Sequence, residues 1–96
     1  MSEPTWDANK HQRNLARRRI GFVEASSALQ DPDRISWSDA EHSDEEDRYV
    51  TVGMTARGRF ALVVTSFDEL GNVRIISARR PTRRERYAYE TREPRD

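Results

Sequence analysis

Eleven of the 17 Leu, Ile, Val and Phe residues in this chain fall between Val50 and Ile76. The core is therefore concentrated in that stretch, and the fold is expected to be organised around it as a sheet flanked by polar elements. Its period is two. From Arg48 to Ala56, Tyr49, Thr51 and Gly53 alternate with Val50, Val52 and Met54. In the next run Phe60, Leu62 and Val64 face away from Ala61, Val63 and Thr65. Alternation of this kind marks strands that bury side chains on the faces of a sheet. Arg57-Gly58 reads as the two-residue tip of a hairpin, and Asp68 to Asn72, with Gly71-Asn72, reads as a second turn. Val73 to Ala78 is apolar on both faces and is expected to be a central strand. Ile35 to Asp39 is expected to be a short one.

Helices flank this region in the sequence. Asp7 has the chemistry of an N-cap for a helix running to about Arg19. Trp6, Lys10, Asn14 and Arg18 recur every four residues and so share one face, mostly polar with a single aromatic anchor. Gly21 is expected to end that helix. Phe22, Ala25 and Leu29 predict a second helix, closed near Asp31-Pro32. After Pro81, Thr82 and Glu85 form the Ser/Thr-x-x-Glu box that opens a helix. The order predicts one α+β domain over residues 1–96: two N-terminal helices, an antiparallel sheet and a C-terminal helix, the helices segregated from the sheet.

Chemistry that the chain lacks narrows its function. With no cysteine, neither a disulfide framework nor a thiolate metal site can form. The two histidines, His11 and His42, have no metal-ligand spacing, and no glycine-rich phosphate loop or nucleophile elbow occurs. Asp39, Glu41, Asp44, Glu45, Glu46 and Asp47 form an acidic tract that reads as a solvated mobile loop. No metal and no cofactor are therefore expected. No segment is apolar and long enough to span a bilayer, and no leader pattern opens the chain, so a cytoplasmic protein is expected. The formal net charge is zero, yet the charge is segregated. Arg13, Arg17, Arg18 and Arg19 form one basic block, and six arginines form another: Arg74, Arg79, Arg80, Arg83, Arg84 and Arg86.

Two readings of the second block stand side by side. Guanidinium is a planar fork that grips phosphate oxygens in pairs, so arginines at a strand end and helix start point to a phosphate ligand. Equally, such clusters are solvated faces with salt-bridge partners, which Glu85, Glu90 and Glu93 can supply. The chain also has 16 Arg against one Lys, a ratio that coding-sequence bias alone would give. Together with Ser77, Tyr87 and Tyr89, the arginines suit one reaction in particular. It is attack of an RNA 2′-hydroxyl on the adjacent phosphate, where fixed cationic donors stabilise the charge building on phosphorane oxygens. Arg74 and Arg79 bracket the strand end and are the first candidates for that work, followed by Arg83 and Ser77. In a regular strand Arg74 and Arg79 point to opposite faces, and they converge only if the chain twists or bulges near Ala78. Lys10, Arg17, Arg18 and Arg59 are candidates for attraction to the RNA backbone.

From Trp6 to Glu90 the chain resembles the BrnT toxins of type II toxin–antitoxin systems. The resemblance rests on Trp6-Asp7, Lys10, Asn14-Leu15, Phe22, Glu24-Ala25 and Asp31-Pro32. It continues through His42-Ser43, Glu45, Glu46, Arg48, Gly53 and Arg59. It is strongest over Arg74 to Arg79, then Thr82, Arg84-Glu85-Arg86 and Tyr89-Glu90. It implies a RelE-like fold and a metal-independent endoribonuclease that arrests translation. It also implies neutralisation by a BrnA-like, ribbon-helix-helix, DNA-binding antitoxin, in a homodimer or two-plus-two assembly that represses its own promoter. One departure stands out. The family usually reads Lys-His-Gly near the end of the first helix, and this chain has Arg17-Arg18-Arg19. Arg18 cannot give up its proton at working pH, so it cannot act as a general base. That substitution favours a rival reading, a module that binds RNA or antitoxin without turnover; a third reading is a structural subunit whose arginines are satisfied by internal carboxylates.

Overall fold

A computed structural model describes residues 3–39 and 47–91. Residues 40–46, which hold most of the acidic tract and His42, and residues 92–96 lie outside this description. Four strands form one sheet: β1 (Ile35–Ser38), β2 (Asp47–Met54), β3 (Phe60–Phe67) and β4 (Val73–Arg79). They pair in sequence order, each antiparallel to the next. The period-two alternation sets the register. Val50 and Val52 sit opposite Val64 and Leu62, so one apolar row faces one side of the sheet. Ala61, Val63, Ile75 and Ala78 face the other side.

The helices cover both faces. Helices α1 (Ala8–Arg18) and α2 (Phe22–Ala28) precede the sheet, and α3 (Arg83–Thr91) follows it. Ile20, Phe22, Ala25 and Ala28 pack with Ala61, Val63, Ile75 and Ala78, and Trp6 and Leu29 close the cluster. On the opposite face Ile35, Val50, Val52 and Leu62 pack under Ala88 of α3, flanked by Trp37, Phe60, Val64 and Tyr89. The expected α+β order with an antiparallel sheet is borne out, and the helices lie on both faces of the sheet, which is the middle layer. Phe22, Ile20, Ile75, Val52 and Val63 are almost wholly buried, each worth roughly 1.5–3 kcal/mol in apolar surface removed from water. Asp31 ties the layers together. Its Oδ2 accepts from the Met54 backbone N–H at 2.7 Å and from the Tyr89 hydroxyl at 2.8 Å.

Gly53 explains how α2 comes so close. A Cβ there would lie 2.4 Å from the carbonyl oxygen of Ala28, so only a bare Cα lets the end of α2 rest on β2.

Three local expectations need correction. Helix α1 ends at Arg18, and the residue in the left-handed conformation is Arg19 (φ 62°, ψ 19°), not Gly21. Gly21 is the N-cap of α2, and its missing Cβ makes room for the His11 ring, which would otherwise stand 2.6 Å away. The first hairpin has a three-residue tip. Thr55 N–H donates to the Arg59 carbonyl, Gly58 N–H donates back to Thr55, and Gly58 takes φ +78°, the turn-plus-left-handed-residue geometry of three-residue loops. Finally, β4 is an edge strand, not a central one. Ile75 and Ala78 pack under the N-terminal helices, Arg74, Ser77 and Arg79 share the other face, and the open edge is covered from the N-terminal side. Thr5 bridges it in parallel, donating to Val73 and accepting from Ile75.

Candidate functional site

Asn14 of α1 continues that cover. Its amide nitrogen donates to the carbonyls of Ile20 (2.7 Å) and Ala78 (2.8 Å), and its Oδ1 faces the Ala78 N–H at 3.4 Å. The side chain stands in for a neighbouring strand, satisfying edge groups that would otherwise need water. Between the stretch held by Thr5 and the stretch held by Asn14, β4 carries a bulge. Val64 pairs with Ser77 and Thr65 with Ile75, so Ile76 is the extra residue. A bulge bends its strand and interrupts the ladder. At that interruption a groove of about 720 Å³ opens between α1 and β4.

The polar helix face read from the sequence forms one wall of the groove. Lys10, Asn14 and Arg18 line it with Arg13 and Arg17, and Ser77 and Arg79 line it from β4. Asp7 orients this helix: its carboxylate accepts from the backbone N–H groups of Asn9 (2.8 Å) and Lys10 (3.1 Å), the capping bond expected of it. Those donors, the Lys10 amide first, hold its carboxyl below the usual range. Five cations line the groove and no carboxylate does. Among the described residues no ion pair holds Lys10, Arg17 or Arg18. Walls of one sign concentrate the field inside a cleft, so the groove attracts anions.

The other candidates lie elsewhere. The bulge puts Arg74 and Arg79 on the same face, because they pair with Ser66 and Leu62, which are an even number of residues apart. The irregularity that convergence required is present two residues earlier than Ala78, but it brings the pair only to a common face. The pair still stands about 13 Å apart along the strand, at about 3.3 Å per residue. Arg74 is exposed and does not line the groove; its field reaches Asp7. Arg83 opens α3 and lines a smaller depression of about 480 Å³ with Pro81, Arg86, Tyr87 and Glu90. Arg59 is engaged inside the fold. It donates to both Glu24 carboxylate oxygens (2.7 and 2.6 Å) and to the Arg19 carbonyl (2.9 Å). That pairing, opposed by burial, keeps the Glu24 carboxyl below its ordinary value.

Arg79 is also paired. Its two terminal nitrogens each donate to one oxygen of Glu85 at 2.8 Å. Glu85 is the acidic member of the predicted capping box, and the box forms: Thr82 N–H donates to Glu85 Oε1 (2.8 Å) and Glu85 N–H to Thr82 Oγ1 (3.2 Å). The Arg79 guanidinium, helped by the Thr82 N–H and resisted by burial, brings the Glu85 carboxyl down to about 2. The internal-partner reading of the arginine block thus holds for Arg79–Glu85 and for Arg86–Glu90 (2.9 Å). It does not extend to the α1 cations.

Sequence reasoning passed over two residues that shape the site. Arg13 joins the groove wall. His11 is half-buried between Trp6 and Phe22, and its Nδ1 accepts the Phe22 N–H at 2.8 Å. It therefore caps the first turn of α2 in place of Gly21, which has no side chain to do so. The i, i+4 spacing of Lys10, Asn14 and Arg18 pointed to the groove face; nothing local pointed to His11.

Residues 6–85 match the family described as the ribonuclease toxin, BrnT, of type II toxin-antitoxin systems. The chain belongs to the BrnT family. The matched span holds α1, the whole sheet and the capping box of α3, and so contains every residue that lines the groove. No curated protein matches the chain. Membership makes this a toxin of a toxin–antitoxin pair, from a family of ribonucleases, with an antitoxin as its counterpart. Among the described residues no helix is long and apolar enough to cross a membrane, and no group of three or more His, Asp or Glu residues is placed to hold a metal ion. Arg17-Arg18-Arg19 now has a structural setting. Arg19 takes the left-handed position at the end of α1, and Arg18 lies in the groove wall.

Proposed function

We propose that the α1–β4 groove binds RNA and cleaves it without a metal, through attack of a 2′-hydroxyl on the neighbouring phosphate, and that this cleavage arrests translation. The observation that carries the reading is the meeting of unpaired α1 cations with Ser77 and Arg79 in a single cleft. Lys10, Arg13, Arg17 and Arg18 attract and track the backbone, a term that acts on any sequence and weakens with salt. Arg79 stabilises the charge that develops on the phosphorane oxygens, with the Ser77 hydroxyl as a neighbouring donor. Arg74 and Arg83, outside the groove, serve phosphates farther along the strand of RNA, and Arg59 acts by holding the α1–α2 link against the first hairpin.

The remaining parts of the proposal follow family resemblance. The single domain over residues 1–96 has a RelE-like fold and works in the cytoplasm. Its counterpart is a BrnA-like ribbon-helix-helix antitoxin, joined to a toxin homodimer in a two-plus-two assembly. The second reading, a binding module without turnover, is favoured by Arg18 alone.

Product chemistry tests the proposal. Purified protein incubated with RNA in the presence of a chelator should release 2′,3′-cyclic phosphate and 5′-hydroxyl ends. Arg79→Lys keeps the charge but loses the fork, so it should lose activity nearly as far as Arg79→Ala, by roughly 2–4 kcal/mol of transition-state stabilisation. RNA that is bound but never cut would favour the binding module, and full toxicity of both variants would remove Arg79 from the site.

A further inference from the structure

Arg79 is gripped on one edge of its guanidinium and open on the next. Nη1 donates to Glu85 Oε1 and to the Arg80 carbonyl (3.1 Å), and Nη2 donates to Glu85 Oε2. The Nε–H and one Nη2–H have no partner among the described residues. We propose that Glu85 is a positioning residue for RNA cleavage: its carboxylate fixes the Arg79 fork so that its second edge is presented to a phosphate in the α1–β4 groove. The inference rests on the reading of that groove as the RNA site.

Three observations support it. Glu85 is itself immobilised, because Oε1 also accepts the Thr82 N–H and its own N–H donates to Thr82, which anchors the carboxylate to the first turn of α3. The Glu85 side chain is 14% exposed while the Arg79 side chain is 37% exposed, so the pair has a more enclosed holder and a more accessible partner. The other two-pronged pair is built the opposite way. Glu24 takes Nε and Nη2 of Arg59, and the Arg19 carbonyl takes Nη2 again, so the side edge of that fork is spent inside the fold. A flexible arginine loses side-chain freedom whenever it binds an anion; one already fixed by Glu85 has lost it in advance, which favours the transition state over a loosely bound ground state.

The test uses an RNA oligonucleotide that the wild-type protein cleaves. Glu85→Gln retains an acceptor for the Thr82 N–H but loses the charge and the second prong. It should lower kcat about 10–100-fold, the range that follows from misplacing a reacting group by about 1 Å, with KM within about twofold. In an Arg79→Ala background the same change should cost less than about twofold, since residues acting through one group are not additive. Thr82→Ala, which weakens the helix start but leaves the carboxylate on Arg79, should keep kcat within about threefold. A readout independent of turnover is the Arg79 Nε–H resonance: sharp in wild type, broadened in Glu85→Gln. Wild-type cleavage matched or exceeded by Glu85→Gln would overturn the role of Glu85 alone. An equal loss in the Arg79→Ala background would reduce Glu85 to a structural part. A wild-type protein that cleaves no RNA would overturn both this inference and the reading beneath it.

Discussion

Arg19→Gly should stabilise the fold, although it deletes a charged side chain. Arg19 holds φ 62° and ψ 19°, and it is the only residue other than glycine with positive φ among those described. An L-residue in that region costs about 1–2 kcal/mol through the clash of its Cβ with the following carbonyl. Glycine removes the clash but adds freedom to the unfolded chain worth about 0.4–1 kcal/mol. The bonds that Arg19 makes to the fold are main-chain ones: its N–H donates to Leu15 at 3.0 Å and its carbonyl accepts from Arg59 at 2.9 Å. Both survive the substitution. The loss of one cation near the end of α1 weakens the dipole term by a few tenths of a kcal/mol, with Arg17 and Arg18 still in place. The net gain should be about 0.5 kcal/mol, or about 2–4 °C in Tm for a domain of this size. Urea unfolding of wild type, Arg19→Gly and Arg19→Ala measures it. Alanine removes the same charge but keeps the strained Cβ, so only glycine should raise the midpoint, with the slope unchanged. Equal midpoints for the glycine and alanine variants would refute the strain argument.

Gly53→Ala should cost about 1–3 kcal/mol by forcing the end of α2 off β2, read as a lower urea midpoint; a neutral result would mean that α2 does not sit as close as 2.4 Å from the added carbon. Arg18→His places a group able to carry protons in the groove wall and should speed RNA cleavage at least tenfold, with a new inflection between about pH 5 and 8; a slower variant would mean that Arg18 is needed as a cation. Acid should unfold the protein through its paired carboxylates. Glu24 and Glu85 have folded values below their unfolded ones, so their contribution is complete above about pH 4.3–4.5 and is lost as the pH falls, toward about 2 for Glu85. Chemical denaturation at pH 7 and pH 3 should show that Glu85→Gln removes part of that pH dependence, roughly 1 kcal/mol after solvent screening; an unchanged slope would count against the Arg79–Glu85 bond.

What could be read from the sequence was local. Asp7 and the Thr82–Glu85 box each bond across two or three residues, so their geometry is written in the spacing. The strands were legible because Val50, Val52, Leu62 and Val64 alternate without interruption. The placement of β4 was not: Ile75-Ile76 reads as a strand apolar on both faces, but the bulge at Ile76 leaves Arg74, Ser77 and Arg79 on the second face and the strand lies at the sheet edge. Ile75-Ile76-Ser77 offers no local cue to which residue bulges; pairing with β3 decides it. His11 finds its partner eleven residues away, and Asn14 finds Ala78 sixty-four residues away. Links of that length appear only when the layers stack.

Those layers also explain how a chain with no net charge presents a strongly basic cleft. The capping acids of α1 and α3, Asp7 and Glu85, bind backbone N–H groups, and Glu24 and Glu85 each hold an arginine where two elements join. Each of these acids is used at a joint of the fold, where a carboxylate satisfies donors that would otherwise be left without partners. The groove face of α1 has no such joint to make beyond Asn14, an uncharged amide, so Lys10, Arg17 and Arg18 remain open to a ligand. Arg79 belongs to both populations: one edge of its guanidinium is bonded to Glu85, and the residue also lines the groove. Substituting Glu85 therefore probes the dividing line itself, because it frees an arginine without adding a charge to the groove wall.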